Sequence, residues 1–421
     1  MTKKFQSVKG FYDVLPEKQK LFRFFEDVAL DLLDQYGYHE IGLPIVEPTD
    51  LFVDSVGSFT DIVEKEMYSW EDPLNNDRLT LRPEGTAGCV RAVIQNNLTY
   101  NGSAKLFYRG AMFRHENVQK GRQRQFHQLG VETFGISSPA ADAEQITFLD
   151  RLWKKLKLKK ISLVINSIGD IEDRKAYRAK LIEYFEKNFD QLDEDARRRY
   201  KDNPMRILDS KNKDMQALLN SAPNLSDFLS QDTKDHFNEL QKLLLQNNVN
   251  FSVNHRLVRG LDYYNRTVFE WTTNDLGSQG TIAGGGRYDY LVESLGGNST
   301  YACGFAIGIE RIVLLLEENA QLTTFSPEIY IVNNGVGAQA FALEVAEKLR
   351  DEAFSVSVNL EGTSFKSQFK KADKSDAEIC LIIGEEEVRN RIIQIKLIRE
   401  NGAQTSSDVS ELIHNVKKFL S

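Results

Sequence analysis

The stretch LFYRGAMFRHENVQKGRQRQFHQLGVETFG, residues 106–135, contains two apolar and aromatic runs on either side of a polar loop. Runs of this kind are typical of β-strands, and the loop is short enough to join them as a hairpin. Residues 109–124 hold five cations and one acid, so five minus one gives a local charge of +4 in a chain of net charge −8. We therefore predict a hairpin that holds a polyanion over a sheet, with a solvated basic tip as the alternative.

The rest of the predicted sheet surrounds this hairpin in the sequence. Further strand-like runs lie at residues 67–70, 78–82, 258–271, 280–283 and 303–307. Most of the turns between them are too short for a helical crossover, which favours antiparallel pairing and excludes a doubly wound domain. Ahead of the sheet, apolar residues recur at helical spacing over residues 16–36, and Gly37 is placed to end that helix. We predict an α+β domain whose antiparallel sheet is flanked by helices.

The residue pattern changes at two points along the chain. Residues 171–250 are polar and helical in pattern, which predicts a helical insertion in the first domain. After residue 325 strands and helices alternate, which is typical of a small separate α/β domain. We therefore predict two domains, residues 1–325 with the insertion and residues 326–421.

Composition indicates an ordinary globular protein. Hydrophobic residues make up 41% of the chain and charged residues 27%, and no window has the pattern of a membrane span. No secretory signal pattern follows the first lysines, and Cys89, Cys303 and Cys380 lack paired or metal-ligand spacing. These features predict a cytoplasmic protein. The net charge of −8 argues against nucleic-acid binding over the whole surface but is compatible with a local basic site.

Three shorter segments carry residues suited to a binding site, each with a structural alternative. Residues 284–286 are three glycines that allow close approach of a ligand or strand; they lack the lysine of a P-loop and also suit a bulge or turn. Arg311 follows Glu310 at a helix start, where it is either a ligand-binding cation or a partner of Glu310. Glu84 and Thr86 precede another helix, where Thr86 also suits an N-cap.

Taken in order, these segments resemble class II aminoacyl-tRNA synthetases, and most closely the histidyl-tRNA synthetase family. The helix and strand ending at Pro44 are similar to motif 1. FRHE at residues 113–116, together with the loop that follows it, is similar to motif 2. GIERIVLL at residues 308–315 is similar to motif 3. LVRGLDYYNRTVFEW, residues 257–271, and AGGGRYD, residues 283–289, resemble blocks peculiar to the histidine enzymes. The resemblance covers nearly the whole chain. It implies a class II catalytic domain and a C-terminal α/β anticodon-binding domain.

The implied activity is that of a histidine–tRNA ligase. Histidine reacts with ATP to give histidyl-adenylate and pyrophosphate, and is then transferred to the terminal ribose of histidine tRNA. The pocket must pair the ammonium, carboxylate and imidazole of its substrate, because a buried polar group without a partner costs roughly 1–3 kcal/mol. By similarity, the ammonium is held by Glu84, Thr86 and Gln128, and the imidazole lies between Glu132 and Tyr264, with Tyr288 completing the wall.

The resemblance also implies how ATP is held. Arg259 and Arg114 bracket the α-phosphate and the histidine carboxylate, and Arg311 meets the far end of the triphosphate. Glu116 and Arg122 match motif 2 positions that face the adenine and phosphates. A carboxylate nucleophile needs no general base, so catalysis depends on positioning and charge stabilisation. Mg²⁺ is expected with ATP, and its protein ligands are not assigned.

The implied partners are histidine tRNA and a second copy of the chain. Gln119 and Arg124 of the motif 2 loop match positions that meet the acceptor end of the tRNA, and both side chains suit guanine edges. Lys366, Lys370 and Lys371 share one helix of the anticodon-binding domain, as phosphate contacts or as a solvated face. Motif 1 builds a two-fold interface in this class, which implies a homodimer.

Two other functions fit parts of the pattern. The first is a non-catalytic, synthetase-like regulatory subunit of histidine biosynthesis; such relatives lack the anticodon domain and lose the arginines, whereas Arg114, Arg259 and Arg311 are present. The second is a class II synthetase for another amino acid, against which the run RGLDYYNRT, residues 259–267, argues.

Overall fold

A computed structural model describes residues 4–57, 60–208, 210, 212–277, 280–318, 326–398 and 404–420. The chain divides into two compact units, Met1–Ala320 and Gln321–Ser421. The predicted domain boundary after residue 325 borders residues 319–325, which lie outside the described residues.

The first unit begins with the elements that frame the hairpin. In chain order they are α1 (Pro16–Gln35), β1 (His39–Glu40), β2 (Val46–Pro48), α2 (Thr49–Val56), a π-helical turn (Ile62–Glu66), β3 (Tyr68–Glu71), β4 (Arg78–Leu81), α3 (Thr86–Gln95), β5 (Ala104–Phe113), β6 (Gln125–Phe134), α4 (Pro139–Lys155) and β7 (Ile161–Ser167).

The insertion and the return to the sheet complete this unit. The insertion holds α5 (Ile171–Lys187), α6 (Glu194–Arg199), α7 (Pro204–Ile207), α8 (Gln216–Asn220) and α9 (Gln231–Gln246), with 3-10 turns at Phe189–Gln191, Lys213–Met215 and Leu225–Asp227. There follow β8 (Ser252–Val253), β9 (Asn265–Thr273), β10 (Thr281–Arg287), α10 (Leu291–Ser294), β11 (Ala302–Gly308) and α11 (Ile309–Glu318).

The main sheet has eight strands in the order β1-β5-β6-β11-β10-β9-β7-β8. The predicted antiparallel pairing is confirmed from β5 across to β7, whereas the two-residue edge strands β1 and β8 pair in parallel. β5 and β6 pair along their whole length, from Ala104↔Phe134 to Phe113↔Gln125, as the hairpin prediction required. Helices α4 and α11 pack against β11 and β6, and α1 packs on both helices. A small separate sheet has the order β2-β4-β3.

Two strand predictions need correction. The predicted strand at residues 258–271 starts only at Asn265, because Tyr263 and Tyr264 before it are buried by packing rather than by strand pairing. The predicted strand at residues 280–283 extends as β10 to Arg287, so the three glycines lie inside a strand and not in a turn, and the register shift between Gly286 and Arg287 agrees with the bulge alternative. Close packing explains them, since a Cβ on Gly285 would lie 2.1 Å from the carbonyl oxygen of Gly304 on β11.

The second unit is a five-stranded sheet with helices. Its elements are β12 (Ile329–Asn333), α12 (Ala338–Asp351), β13 (Val356–Val358), α13 (Phe365–Lys374), β14 (Ile379–Ile383), α14 (Glu385–Asn390), β15 (Ile392–Leu397), β16 (Thr405–Asp408) and α15 (Leu412–Leu420). The order is β13-β12-β14-β15-β16, with the first three strands parallel and the last two antiparallel. The predicted α/β character of this unit is confirmed.

Candidate active site

A cavity of about 220 Å³ is lined by residues of β5, β6, β10 and β11 and by the segment before β9. The structure brings most of the predicted site residues together here. Those that line the cavity are Glu84, Thr86, Arg114, Glu116, Arg122, Gln128, Arg259, Tyr264 and Arg311.

The sheet accommodates bulky polar side chains by placing glycine on the neighbouring strand. Tyr108 of β5 lies opposite Gly130 of β6, where an added Cβ would be 2.2 Å from the Tyr108 ring. Glu132 of β6 lies opposite Gly304 of β11, where a Cβ would be 1.6 Å from a Glu132 carboxylate oxygen. The glycines of this sheet are therefore part of the site, because any side chain there would displace a polar group.

Arg259 lies before β9 and is held in place by that strand. Its guanidinium pairs with the carboxylate of Glu270 on β9, and the other Glu270 oxygen accepts a hydrogen bond of 3.1 Å from Thr281. Gly284 leaves the space that the guanidinium needs, since a Cβ there would lie 2.7 Å from Arg259 Nη1. Burial alone would lower the pKa of Arg259, but Glu270 and the neighbouring Tyr264 hold that pKa above its ordinary value. Arg259 is a fixed, permanent cation.

Arg114 stands at the end of β5 on the other side of the cavity. Its Nε donates to the Pro83 carbonyl at 2.8 Å, and its guanidinium lies 5.2 Å from the centre of the Phe126 ring. Glu116 is shared between two cations, at 3.9 Å from Arg114 and 2.6 Å from Arg122. The carboxylate thus fixes two guanidinium groups at the cavity edge.

Arg311 at the start of α11 supplies a fourth cation of the cavity, beside Arg114, Arg122 and Arg259. Its Nε donates to the Gly121 carbonyl at 3.2 Å, and Nη1 donates to the Thr281 carbonyl. Burial, with repulsion from Arg122, holds the pKa of Arg311 below its ordinary value. An anion bound beside Arg311 and Arg122 would offset that repulsion and favour the charged form of Arg311. Glu310, its predicted alternative partner, instead pairs with the His127 ring at 2.8 Å.

Glu84 is the carboxylate that caps α3. It accepts hydrogen bonds of 2.8 Å from the backbone N–H groups of both Thr86 and Ala87, so the alternative of Thr86 as the N-cap is wrong. The Thr86 hydroxyl donates instead to Glu132 at 2.9 Å. Burial raises the pKa of Glu84, although the two backbone donors oppose the shift.

Glu132 is a buried carboxyl surrounded by hydroxyl groups. It accepts from Tyr108 at 3.0 Å and from Tyr288 at 2.5 Å, in addition to Thr86. Burial raises its pKa to about 8, despite these three donors, and the nearby Glu84 adds to the shift. Glu132 and Tyr288 do not line the cavity themselves; Glu132 is hydrogen-bonded to Thr86 and Tyr108, which do, and Tyr288 is hydrogen-bonded to Glu132. When Glu132 is ionised, its carboxylate has about four lone-pair sites, so one acceptor site is left beyond these three.

Two tyrosines form the wall beside Arg259. The rings of Tyr263 and Tyr264 lie 4.6 Å apart, and the Arg259 guanidinium lies 5.9 Å from the centre of the Tyr264 ring. Tyr263 also contacts Tyr288 edge-on at 5.6 Å. This aromatic stack connects the buried Glu132 cluster to the cation.

The two predicted tRNA-contacting residues occupy different positions in the motif 2 loop. Gln119 is exposed at the tip, where its backbone forms a bridge with Arg122. Arg124 lies at the base: its N–H donates to the Gly10 carbonyl at 2.9 Å, and its Nε donates to the Glu116 carbonyl at 3.3 Å. Only the tip residue presents its side chain freely to solvent.

Several residues of the site did not stand out in the sequence. Tyr108, Tyr263 and Phe126 line the cavity, and Glu270 holds Arg259. A signal existed for Glu270, because a carboxylate within the apolar run VFEW of a central strand requires a partner. Tyr108 gave no such signal, since aromatic residues are common in strands.

In the second unit, Lys366 and Lys370 are exposed on α13, and Lys371 on the same helix pairs with Glu361. Within the described residues, no group of three or more histidine, cysteine or acidic side chains is arranged to hold a metal ion. Among the same residues, no helix combines the length and the apolar character needed to cross a membrane.

Sequence comparisons place the chain among known proteins. A family model described as histidyl-tRNA synthetase matches residues 10–312, and one described as anticodon binding domain matches residues 328–419. The histidine–tRNA ligase of Methylobacillus flagellatus is 57% identical over 98% of this chain and 99% of its own length. That of Nitrosomonas eutropha is 52% identical over 98% of both chains.

The fold is similar to a solved structure of the same description. The apo histidyl-tRNA synthetase of S. aureus superposes with a TM-score of 0.81 at 33% identity, covering 98% of this chain and 100% of the other.

Proposed function

The chain belongs to the histidyl-tRNA synthetase family, and from this premise we propose how its residues divide the work of the reaction. The chain is an aminoacyl-tRNA synthetase: it activates histidine with ATP and transfers it to histidine tRNA. The regulatory-subunit alternative is disfavoured by ligases 57% and 52% identical over nearly the full length, and by the anticodon-binding domain. The observation that carries the proposal is the convergence of Arg114, Arg259 and Arg311 on one cavity.

Arg259 and Arg114 act in the activation step. The histidine carboxylate must approach the α-phosphorus of ATP although both are anions, and new charge develops on the phosphoryl oxygens. Arg259, fixed by Glu270, and Arg114, fixed by the Pro83 carbonyl, enter the cavity from opposite sides and neutralise that charge. No proton has to be removed from the attacking carboxylate, so these cations need no partner base.

Glu132 and its neighbours recognise the side chain of histidine. The free acceptor site of Glu132 suits an imidazole N–H, and the Tyr264 hydroxyl suits the other ring nitrogen. Glu84, Thr86 and Gln128 serve the ammonium group with one carboxylate and two neutral groups at the same cavity. An amino acid without ring nitrogens would leave these buried groups unpaired, which favours histidine strongly.

Arg311 and Arg122 hold the phosphates of ATP, with Glu116 fixing the position of Arg122. Mg²⁺ enters with the nucleotide, because it prefers phosphate and water ligands with one or two carboxylates. The lining offers Glu116 and Glu310 as such carboxylates, in keeping with an ion carried mainly by phosphate. Bound there, Mg²⁺ would supply charge neutralisation at the leaving pyrophosphate.

The motif 2 loop and the second unit contact the tRNA. Gln119 is exposed at the loop tip and suits a base edge of the acceptor end, and Arg124 supports the loop at its base. The exposed Lys366 and Lys370 of α13 suit phosphates of the anticodon arm, beside Lys371. The buried free thiols of all three cysteines agree with an enzyme of the reducing cytoplasm.

The chain forms a homodimer through the region around β2. Val46 of β2, Ile45 before it and Trp70 of β3 are exposed apolar residues on or beside the small sheet, as expected for a surface that a second copy covers. We expect sedimentation equilibrium to give twice the chain mass, and Trp70→Glu to shift the protein toward monomer. Leu245→Glu, at an exposed apolar site in the insertion, should leave the mass unchanged. An active wild-type monomer would contradict this interface.

Pyrophosphate exchange with each of the twenty amino acids tests the function. We expect exchange with histidine alone, because the site is built to pair both ring nitrogens. Exchange with a different amino acid would reassign the substrate. No exchange with any of them, in folded protein supplied with ATP and Mg²⁺, would support the regulatory-subunit alternative.

A further inference from the structure

Residues 256–264, the arginine segment, carry Arg259 and Tyr264 into the cavity but belong to no strand, and all of them lie in the described part of the chain. Open spaces of about 240 and 290 Å³ lie on the insertion side of the segment, both lined by Val258, Arg259 and Arg206. Close packing therefore does not fix the segment around Arg259 on this side. Its position depends on directed polar contacts.

Asn166 of β7 donates to the Leu257 carbonyl at 2.9 Å and the Asp262 N–H donates to the Val56 carbonyl at 3.1 Å, and the helical insertion supplies the contacts nearest Arg259 and at the end of the segment. Arg206 of α7 donates a hydrogen bond to the carbonyl of Gly260, the residue that follows Arg259. Arg174 of α5 donates to the carbonyl of Tyr264 at 2.7 Å. The insertion thus holds the backbone of the arginine segment directly beside the catalytic cation and at the end of the segment.

Arg206 is also the charged centre of this junction. Its guanidinium lies 3.8 Å from Asp262 of the arginine segment and 4.0 Å from Asp61 of the loop after α2, and its side chain is 12% exposed. Asp61 pairs in addition with Arg199 of α6 at 2.6 Å, and Asn203 donates to Asp262 at 3.2 Å. Two loops of the catalytic unit therefore meet the insertion at one guanidinium group.

We propose that Arg206 is a positioning residue for Arg259, through which the insertion sets the rate of histidine activation. This inference rests on the proposed role of Arg259. Arg206 does not line the cavity; it donates to the Gly260 carbonyl and pairs with the Asp262 carboxylate at 3.8 Å, and so sets the direction from which Arg259 enters the cavity. Glu270 fixes the guanidinium end of Arg259, and Arg206 fixes its backbone end.

The first test is Arg206→Met, which keeps the length of the side chain and removes its donors and charge. We expect kcat for histidine-dependent pyrophosphate exchange, measured without tRNA, to fall about 10- to 100-fold, because small misplacements of a catalytic group cost this much. KM for histidine and for ATP should change little, since Arg206 contributes to neither binding site.

Arg178→Met is the matched control. Arg178 of α5 donates to the carbonyls of Lys201 and Asp202, so it anchors the insertion to itself and not to the arginine segment. We expect this variant to keep the wild-type kcat. An equal loss in both variants would overturn the inference, because it would show a general sensitivity to the insertion.

The double variant separates positioning from a merely structural role. If Arg206 acts through Arg259, Arg206→Met should cause no further loss in an Arg259→Ala background under single-turnover conditions. A full additional loss there would overturn the proposal. Should Arg259→Ala leave exchange intact, the proposed catalytic role itself fails; should only Arg206→Met leave it intact, the positioning role alone fails.

Arg206→Lys covers the case in which the methionine variant does not fold. A lysine keeps a cation between Asp61 and Asp262 and one donor toward Gly260, but lacks the fork that reaches all three. We expect an activity between the wild-type and methionine levels, with native thermal stability. Wild-type hydrogen exchange of the 256–264 amides combined with wild-type kcat would count against Arg206 as an anchor.

Discussion

Arg259→Ala is expected to lower histidine-dependent pyrophosphate exchange by about a thousandfold or more while the protein stays folded. Arginines that neutralise a phosphoryl-transfer transition state contribute about 10³- to 10⁵-fold to kcat. Arg259 is suited to such a role because Glu270 orients it, Gly284 leaves it space, and its pKa is held above the ordinary arginine value. The loss should appear in kcat more than in KM, since the charge develops in the transition state.

Stability should change little in the same variant. Glu270 loses its cation but keeps the hydrogen bond from Thr281, and its side chain is 21% exposed, so water can reach the carboxylate. Thermal unfolding of Arg259→Ala beside wild type checks this. Glu270→Gln should show a smaller loss of exchange, because the amide oxygen still accepts from Arg259 but no longer pairs its charge.

Gln119→Ala is the matched control for Arg259→Ala. Gln119 is exposed at the tip of the motif 2 loop, which borders the cavity, but its own side chain faces solvent. The variant should therefore keep pyrophosphate exchange and weaken only the transfer of histidine to tRNA. Wild-type exchange in Arg259→Ala would contradict the catalytic assignment. Loss of exchange in Gln119→Ala would contradict the division between the two steps.

The residues that form the hairpin and its basic loop could be predicted because local pattern and structure agree there. β6 spans Gln125–Phe134, within the second apolar and aromatic run of the predicted hairpin, and α1 ends at Gln35, two residues before Gly37. Strand pairing and helix termination depend on near neighbours in the chain, so the sequence carries them. The two-residue parallel edge strands β1 and β8 depend on distant partners and leave almost no local pattern.

The arginine segment shows why a buried apolar pattern misleads. Leu257, Tyr263 and Tyr264 are buried. A buried segment that pairs with no strand has the same apolar and aromatic sequence pattern as a β-strand. The segment that contains these residues is held in part by the insertion, through donors such as Arg206, which lies 54 residues before Gly260 in the chain. Contacts between residues so far apart leave no periodic pattern and no fixed spacing in the sequence, so they can be identified only in the folded structure. The ion pair of Glu270 is a similar case: a charged residue in a central strand requires a partner, but the sequence does not identify that partner as Arg259.

The glycines illustrate an intermediate case. Their number signals close approach, and the structure identifies what approaches: Arg259 at Gly284 and Glu132 at Gly304. A strand with several glycines, such as β10 with Gly284–Gly286, is weak on its own, because glycine loses more conformational entropy on folding than any other residue. Here side chains of the site occupy the space that the glycines leave. The glycines that weaken β10 and β11 therefore also form the floor of the cavity.

Glu132→Gln is expected to lower kcat/KM for histidine by about a hundredfold. A hydrogen bond to a charged group contributes roughly 1.5–3 kcal/mol, which corresponds to about 10- to 150-fold. Glutamine keeps the shape, but its amide nitrogen cannot accept from Tyr288 or from an imidazole N–H. Exchange kinetics against histidine concentration measure the change. Tyr288→Phe keeps the carboxyl and removes one of its three donors, so its loss should be smaller.

A pH series on the ligand-free protein tests the same carboxyl independently of activity. Burial raises the pKa of Glu132 from 4.5 to about 8, so between these pH values the folded chain keeps a proton that the unfolded chain has released. The unfolded state then binds fewer protons, and the contribution of Glu132 makes the free energy of unfolding fall as pH rises from 4.5 to 8. Glu132→Gln cannot ionise and should remove this part of the slope. A variant with an unchanged slope and unchanged histidine kinetics would show that Glu132 is neither a buried acid nor the partner of the imidazole.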